Sequence, residues 1–362
     1  MEETKKRKSK SKKIILIVGI SIFSFVVINI VGLLIACPLI YNSIFIHYDE
    51  PDYNIVPGLI NYEDIKDIYT RKDITFSSNK NRLQGHLYEA NTNENGLVIF
   101  AHGMGSGSDT YLSHELYLLN SGFNIFTFDF TGTYKSEGNT VIGFPEATID
   151  MGNAIDFVNS NYSNLTKNGL FLMGHSWGAY AATTILNIKN NIKGVVSLSG
   201  ANSAEEVVLD KAQKYVGILA DMSSPFVYSY QESLFSKFAK YSSVNGLNNS
   251  KTACFIVQGE NDYTFKTNKV STYSHKNEIT SSKVKYKLIN GEYSGHTSLL
   301  YSDNANIYRN EVDNMLNDLE SNYEGEILYN KKKELCNNID DKLYSEVNSE
   351  LMLDIVKFLK GA

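Results

Sequence analysis

The run Gly169-Leu170-Phe171-Leu172-Met173-Gly174-His175-Ser176-Trp177-Gly178 decides how this chain is read. An apolar stretch of strand character stops at a G-x-S-x-G pentapeptide, and a helical pattern follows at once. Ala179, Ala181 and Ala182 are good helix formers, while Ile185, Leu186 and Ile188 supply an apolar stripe. A serine between such a strand and such a helix is held on a sharp turn with its hydroxyl exposed. Small residues on either side let that turn approach the neighbouring backbone. The pentapeptide by itself also fits an ordinary strand-helix turn, so its surroundings must decide.

Moving outward, short β-like runs alternate with helical patterns. Strands are predicted at 73–76, 83–89, 97–101, 124–128, 170–173, 194–198, 253–257 and 284–289. Helices are predicted at 111–120, 144–159, 177–188, 266–276 and 349–359. This alternation predicts an α/β domain with a mostly parallel eight-stranded sheet, helices on both faces, and the first two strands close enough for a hairpin. Two segments break the pattern. Residues 201–250 read as a small helical cap inserted between two strands, and 302–348 as a helical excursion before the last helix.

A nucleophilic serine needs a general base, and the base needs a carboxylate to hold its tautomer. In a parallel sheet such groups gather on loops at the carboxyl ends of strands. Asp262 follows the run Cys254-Phe255-Ile256-Val257, and His296 follows Tyr286-Lys287-Leu288-Ile289, giving the chain order Ser, Asp, His. Glu260 is the rival acid and His102 the rival base, with bracing of its own loop as the alternative role for His102. His47, His86, His114 and His275 carry no motif and read as surface or packing residues, and His175 as packing beside the turn. Asp150 and Asp156 fall in a helical pattern and read as solvent-facing. Cys37, Cys254 and Cys336 are isolated, with no C-x-x-C or Cys/His cluster, so neither a metal nor another cofactor is expected.

From about residue 73 to its end the chain resembles the α/β-hydrolase superfamily, nearest to small-cap bacterial serine hydrolases labelled esterase, lipase or serine-aminopeptidase-like. His102-Gly103-Met104-Gly105 is similar to that family's oxyanion loop. Asp129-Phe130-Thr131-Gly132-Thr133-Tyr134-Lys135-Ser136 resembles its D-x-R-G-x-G-x-S loop, departing at Thr131, where Arg is usual, and at Tyr134, where Gly is usual. The resemblance implies the α/β-hydrolase fold, with Ser176, Asp262 and His296 as nucleophile, acid and base. It also implies that the backbone N–H groups of Met104 and Trp177 form the oxyanion hole. The activity so implied is hydrolysis of carboxylic esters, with acyl or lipid-like small molecules as substrates, through an acyl-enzyme. A serine-aminopeptidase-like peptidase is the alternative, with Glu205, Glu206 and Glu232 of the cap as candidates for holding a peptide amine. A catalytically silent binding protein is a third reading. Tyr215, Phe226, Tyr228, Tyr230, Phe235, Phe238 and Tyr241 of the cap either line an acyl pocket or bury the cap against the core.

The amino terminus bears on where the chain works. Residues 1–13 hold seven Lys/Arg against two Glu, a net charge of +5 in a chain of −6, so the rest carries −11. A basic tail suits nucleic acid, but this one abuts residues 14–36, which are uncharged and long enough to span a bilayer. The expected organisation is a cytoplasmic tail (1–13), a transmembrane anchor (14–36), a membrane-proximal connector (37–72) and an extracellular hydrolase domain (73–362). The partner is then a membrane rather than nucleic acid. Leu34-Ile35-Ala36-Cys37 is also similar to a lipobox, and lipidation at Cys37 after cleavage is the minor alternative. An apolar fraction of 43% with 12% aromatic residues is ample for a large core.

Overall fold

The computed structural model describes residues 2–92, 94–217, 219–264 and 269–362. Eight strands form one sheet: β1 (Arg71–Ser78), β2 (Asn81–Tyr88), β3 (Leu97–Ala101), β4 (Asn124–Phe128), β5 (Leu170–His175), β6 (Gly194–Leu198), β7 (Ala253–Gly259) and β8 (Val284–Ile289). Their order across the sheet is β1-β2-β4-β3-β5-β6-β7-β8. β1 and β2 make the expected antiparallel hairpin, β2 meets β4 antiparallel, and every later neighbour is parallel.

The central strands are fully buried, as strands covered on both faces must be, and therefore read as unbroken apolar runs. Alternate residues serve opposite layers. Leu97 and Ile99 of β3 join one apolar cluster, Val98 and Phe100 the other.

The helices in chain order are α1 (Glu2–Ile44), α2 (Tyr62–Ile65), α3 (Leu112–Asn120), α4 (Glu146–Asn161), α5 (Ser163–Thr166), α6 (Trp177–Thr184), α7 (Ala204–Val216), α8 (Leu219–Phe235), α9 (Ser243–Asn249), α10 (Asp303–Asn322), α11 (Gly325–Cys336), α12 (Asp341–Tyr344) and α13 (Ser349–Gly361). Met151 and Ile155 of α4 and Tyr180 of α6 fill the first layer, together with Leu97 and Ile99. Leu118 of α3 and Leu351, Ile355 and Leu359 of α13 fill the second. α7, α8 and α9 lie between β6 and β7, where the cap insertion was expected, and α10 to α12 occupy the excursion. Of the helix expected over 266–276, residues 266–268 lie outside the described residues, and Thr272–His275 forms a single 3₁₀ turn.

The largest difference from the sequence reading concerns α1. It runs past Ala36, keeps Pro38 within it and ends at Ile44, so its last two turns are helix rather than connector. Its stretch Lys12–Ile44 is long and apolar enough to cross a membrane. Leu33 is half-buried, whereas Cys37, Tyr41 and Phe45 are buried, which gives a helical stripe facing the domain. Tyr41 Oη donates to Gln231 Oε1 of α8 at 3.1 Å, and Tyr230 Oη donates to Asn42 Oδ1 at 3.1 Å. Immediately beyond the helix, Tyr48 N–H donates to the Gly132 carbonyl at 3.0 Å, and Tyr134 N–H to that of Tyr48 at 2.8 Å.

The cap has an ionic tie to the body. His275 Nδ1 lies 2.8 Å from Glu278 Oε1, and Nε2 lies 3.3 Å from Glu206 Oε1 on α7. Hydrogen bonding to Glu206 raises the imidazole to about 9, against a smaller opposing effect of burial. A histidine whose folded pKa is raised gives stability that is fully present below its unfolded pKa, about 6.5, and is lost as pH rises through about 9. The melting temperature of the protein should therefore fall across that window, and His275→Gln should flatten the slope. Equal slopes in the two proteins would show that the tie carries no stability.

Candidate active site

Ser176 occupies the single residue between β5 and α6 with φ 55° and ψ −112°, a conformation L-residues rarely adopt. The turn is pinned from both sides. Ser176 N–H donates to the Leu198 carbonyl of β6 at 2.8 Å, and its own carbonyl accepts from Tyr180 N–H at 3.0 Å. The flanking glycines are required by close approach. A Cβ on Gly174 would overlap the Gly178 backbone, and one on Gly178 would overlap the Ala101 carbonyl at the end of β3.

Asp262 and His296 lie on loops after β7 and β8, and the structure brings both to Ser176. His296 Nε2 is 2.8 Å from Ser176 Oγ, and His296 Nδ1 is 2.8 Å from Asp262 Oδ2. The Asp262 side chain is 3% exposed. Its Oδ2 also accepts from Gln258 Nε2 at 2.8 Å, and Oδ1 accepts from Thr264 N–H at 3.1 Å. Burial pushes this carboxyl up, but the hydrogen bond and charge of His296, with the Thr264 amide, outweigh it and hold the group down at about 2. A permanently ionised Asp262 requires a proton on His296 Nδ1, which leaves Nε2 free to accept from the serine hydroxyl. Glu260, the rival acid, is exposed.

His102 does not reach the serine. It is fully buried, donates from Nδ1 to the Gly103 carbonyl at 2.7 Å, and accepts the Phe130 N–H at Nε2 at 3.0 Å. Burial lowers it to about 4, so it stays neutral and braces the loop that holds Gly103 and Met104. Met104 is half-buried on that loop. Trp177 is the first residue of α6, a position whose N–H has no partner within the helix. Its indole donates to the Phe144 carbonyl at 2.8 Å and anchors the same turn.

One network escaped the sequence reading. His175 does more than pack: Nε2 donates to the His296 carbonyl at 2.8 Å, and Nδ1 accepts from Tyr111 Oη at 2.8 Å. Tyr111 Oη in turn accepts the Gly103 N–H at 3.1 Å. Burial drives His175 down to about 3, so this tautomer is neutral and fixed. The elbow, the His296 loop and the loop of Gly103 are thus joined through two side chains. Asp150 is a plain correction. It is fully buried rather than solvent-facing, accepting from Ser78 Oγ at 2.5 Å and from Thr131 N–H at 2.8 Å. Thr131 therefore meets an internal carboxylate where the family pattern carries Arg, and Tyr134 keeps a positive φ of 47° where that pattern carries Gly.

Residues 92–254 match the family model described as serine aminopeptidase, S33. An esterase of Pyrococcus furiosus, Pf2001, superposes in one crystal form at TM-score 0.51 and 18% identity, covering 76% of this chain and 100% of that one. This chain has the α/β-hydrolase fold. A second crystal form of the Pyrococcus enzyme gives TM-score 0.51 at 19% identity over 77% of this chain and 99% of that one. Acetyl xylan esterase 1 of Thermoanaerobacterium sp. covers 63% of this chain and 78% of its own at TM-score 0.48 and 17% identity. No curated protein matches the sequence. Among the described residues no group of three or more His, Cys, Asp or Glu could hold a metal ion.

Proposed function

We propose that this α/β-hydrolase is a membrane-tethered carboxylic ester hydrolase that works through Ser176, His296 and Asp262 by way of an acyl-enzyme. The observation that carries the reading is the 2.8 Å approach of His296 Nε2 to Ser176 Oγ, with the opposite ring nitrogen on a buried carboxylate. In the first step His296 takes the hydroxyl proton as Oγ attacks the ester carbonyl. Asp262 stabilises the imidazolium, and the N–H groups of Met104 and Trp177 receive the developing oxyanion. The imidazolium then protonates the leaving alcohol. Water, deprotonated by His296, hydrolyses the acyl-enzyme, and the serine recovers its proton.

The peptidase reading needs acidic groups free to take an ammonium. Two of its three candidates are engaged: Glu206 with Asn202 and His275, and Glu232 with Lys240 at 2.7 Å. That favours esters. The test is labelling of the full-length protein in detergent by a fluorophosphonate probe, followed by turnover of short p-nitrophenyl esters against aminoacyl-amides. Ester turnover with silent amides is expected. Faster amide turnover would shift the reading to a peptidase, and failure to label would remove the catalytic reading.

Tyr111→Phe isolates the three-loop network. The ring stays, but the buried Gly103 N–H and His175 Nδ1 both lose their partner. Each unsatisfied buried group costs about 1–3 kcal/mol. If a fraction of that cost falls on the transition state, kcat drops roughly tenfold, since 1.4 kcal/mol is one decade. Michaelis kinetics on p-nitrophenyl butyrate should show this fall with KM within about twofold. An unchanged kcat would confine the network to a structural role.

A further inference from the structure

The tether and the cap are one packed unit. Tyr41 and Asn42 of α1 meet Gln231 and Tyr230 of α8, and the Tyr41 ring lies edge-on to that of Tyr230 with centroids 5.4 Å apart. The domain-facing stripe of α1 continues back from Phe45 through Tyr41 and Cys37 to Leu33. From Tyr41 to Leu33 is about 12 Å along a helix, and from Gln231 back to Met222 is about 14 Å. The earlier turns of α8 are therefore the ones long enough to accompany α1 toward Leu33.

Leu33 marks a level in the bilayer. Lys12 and Lys13 hold the cytoplasmic end of the span, and the uncharged run begins at Ile14. Nineteen residues further on, at about 1.5 Å each, Leu33 stands roughly 29 Å above Ile14, the thickness of a hydrocarbon core. The opposite face of α1 is still apolar and bare beyond that level, with Leu39 66% and Ile40 55% exposed. A run of that length exceeds the core and is accommodated by tilting or by local thickening, both of which bring the lipid closer to the cap. On α8 the side chains that face away from the body at this end are Met222, 70% exposed, and Pro225, with Phe226 half-exposed beside them. Asp221 is exposed beside them, so this turn presents apolar groups with one carboxylate, a mixture that a headgroup boundary accepts.

We infer that the first turns of α8, through Met222, Pro225 and Phe226, rest in the outer headgroup layer of the membrane that α1 spans, and that the enzyme draws its substrates from that leaflet. The substrate class is then an amphiphilic ester whose chain resides in the bilayer and whose carbonyl lies at the interface. This rests on the ester-hydrolase reading above for its substrate half, while the docking half stands on α1 and α8 alone.

Two readouts keep the halves apart. The full-length protein is reconstituted in phosphatidylcholine vesicles with Met222→Cys, in a Cys336→Ser background, carrying an environment-sensitive nitrobenzoxadiazole label. The emission should shift to the blue and be quenched by lipids brominated on the acyl chain. A label with the emission seen in water, indifferent to brominated lipid, overturns the docking. In parallel, Met222→Glu is assayed on a soluble p-nitrophenyl butyrate and on a long-chain fluorogenic ester embedded in the vesicles. Turnover of the embedded ester should fall at least tenfold with the soluble ester within twofold. Equal rates of Met222→Glu and the parent on the embedded ester overturn the substrate route. Loss of soluble-ester turnover in the parent protein itself would instead overturn the hydrolase reading.

Discussion

With Ser176 replaced by alanine, ester turnover should fall by about 10⁶ in kcat and fluorophosphonate labelling should vanish. Removing a triad nucleophile costs about that much, because base and acid cannot act without the oxygen they serve. What survives is a rate about 10³–10⁴ above uncatalysed hydrolysis, supplied by oxyanion donors and binding alone. The fold should be untouched. Apart from the hydroxyl, the contacts that pin this residue are made by its backbone, to Leu198 and Tyr180. The strained φ of 55° is imposed by that backbone, and alanine inherits it with the same Cβ. Thermal unfolding of the variant should therefore match the parent within a few degrees. A variant that still labels in the folded state would remove Ser176 from the nucleophile's role, and one that unfolds would not speak to the chemistry.

Much of this candidate site was legible in the sequence because Ser176 and Asp262 follow strands buried on both faces, while His296 follows the half-exposed edge strand β8. Leu170 to Met173, Cys254 to Val257 and their neighbours read as apolar runs, and the residues just past them stand at one edge of the sheet. The supporting contacts were not legible, for a physical reason. His175 meets Tyr111 across 64 residues and the His296 carbonyl across 121, and no local pattern encodes such pairs. Asp150 failed differently. A charge in a helix reads as solvated, and only the return of the loop at Thr131 reveals a buried acceptor, whose burial lifts the carboxyl to about 6. For α1 the difficulty is uniformity. Lipid and protein both accept apolar side chains, so Leu33, Cys37 and Tyr41 could not be told apart from the exposed Leu34 and Leu39 before the packing was seen.

Gly178→Ala should be severely destabilising, and Gly152→Ala mild. Both glycines lie within helices, α6 and α4, where alanine is favoured over glycine by about 1 kcal/mol. Their surroundings decide the sign. At Gly178 the added carbon would overlap the Ala101 carbonyl, with the His102 carbonyl 2.8 Å away, and backbone at the end of β3 cannot move without breaking the sheet. Overlap of that kind belongs among the rare losses of about 4 kcal/mol or more, out of a total stability of about 5–15 kcal/mol. At Gly152 the nearest atom is Ile185 Cδ1 at 3.2 Å, the free end of a flexible side chain that can turn aside. Gly178→Ala should melt about 10 °C lower or fail to accumulate as folded protein, whereas Gly152→Ala should stay within about 1 kcal/mol of the parent. The pair separates two reasons for a glycine before a nucleophile is even considered. If Gly178→Ala melted with the parent, the close approach of α6 to β3 would be wrong, and with it the geometry that lifts Ser176 Oγ toward His296.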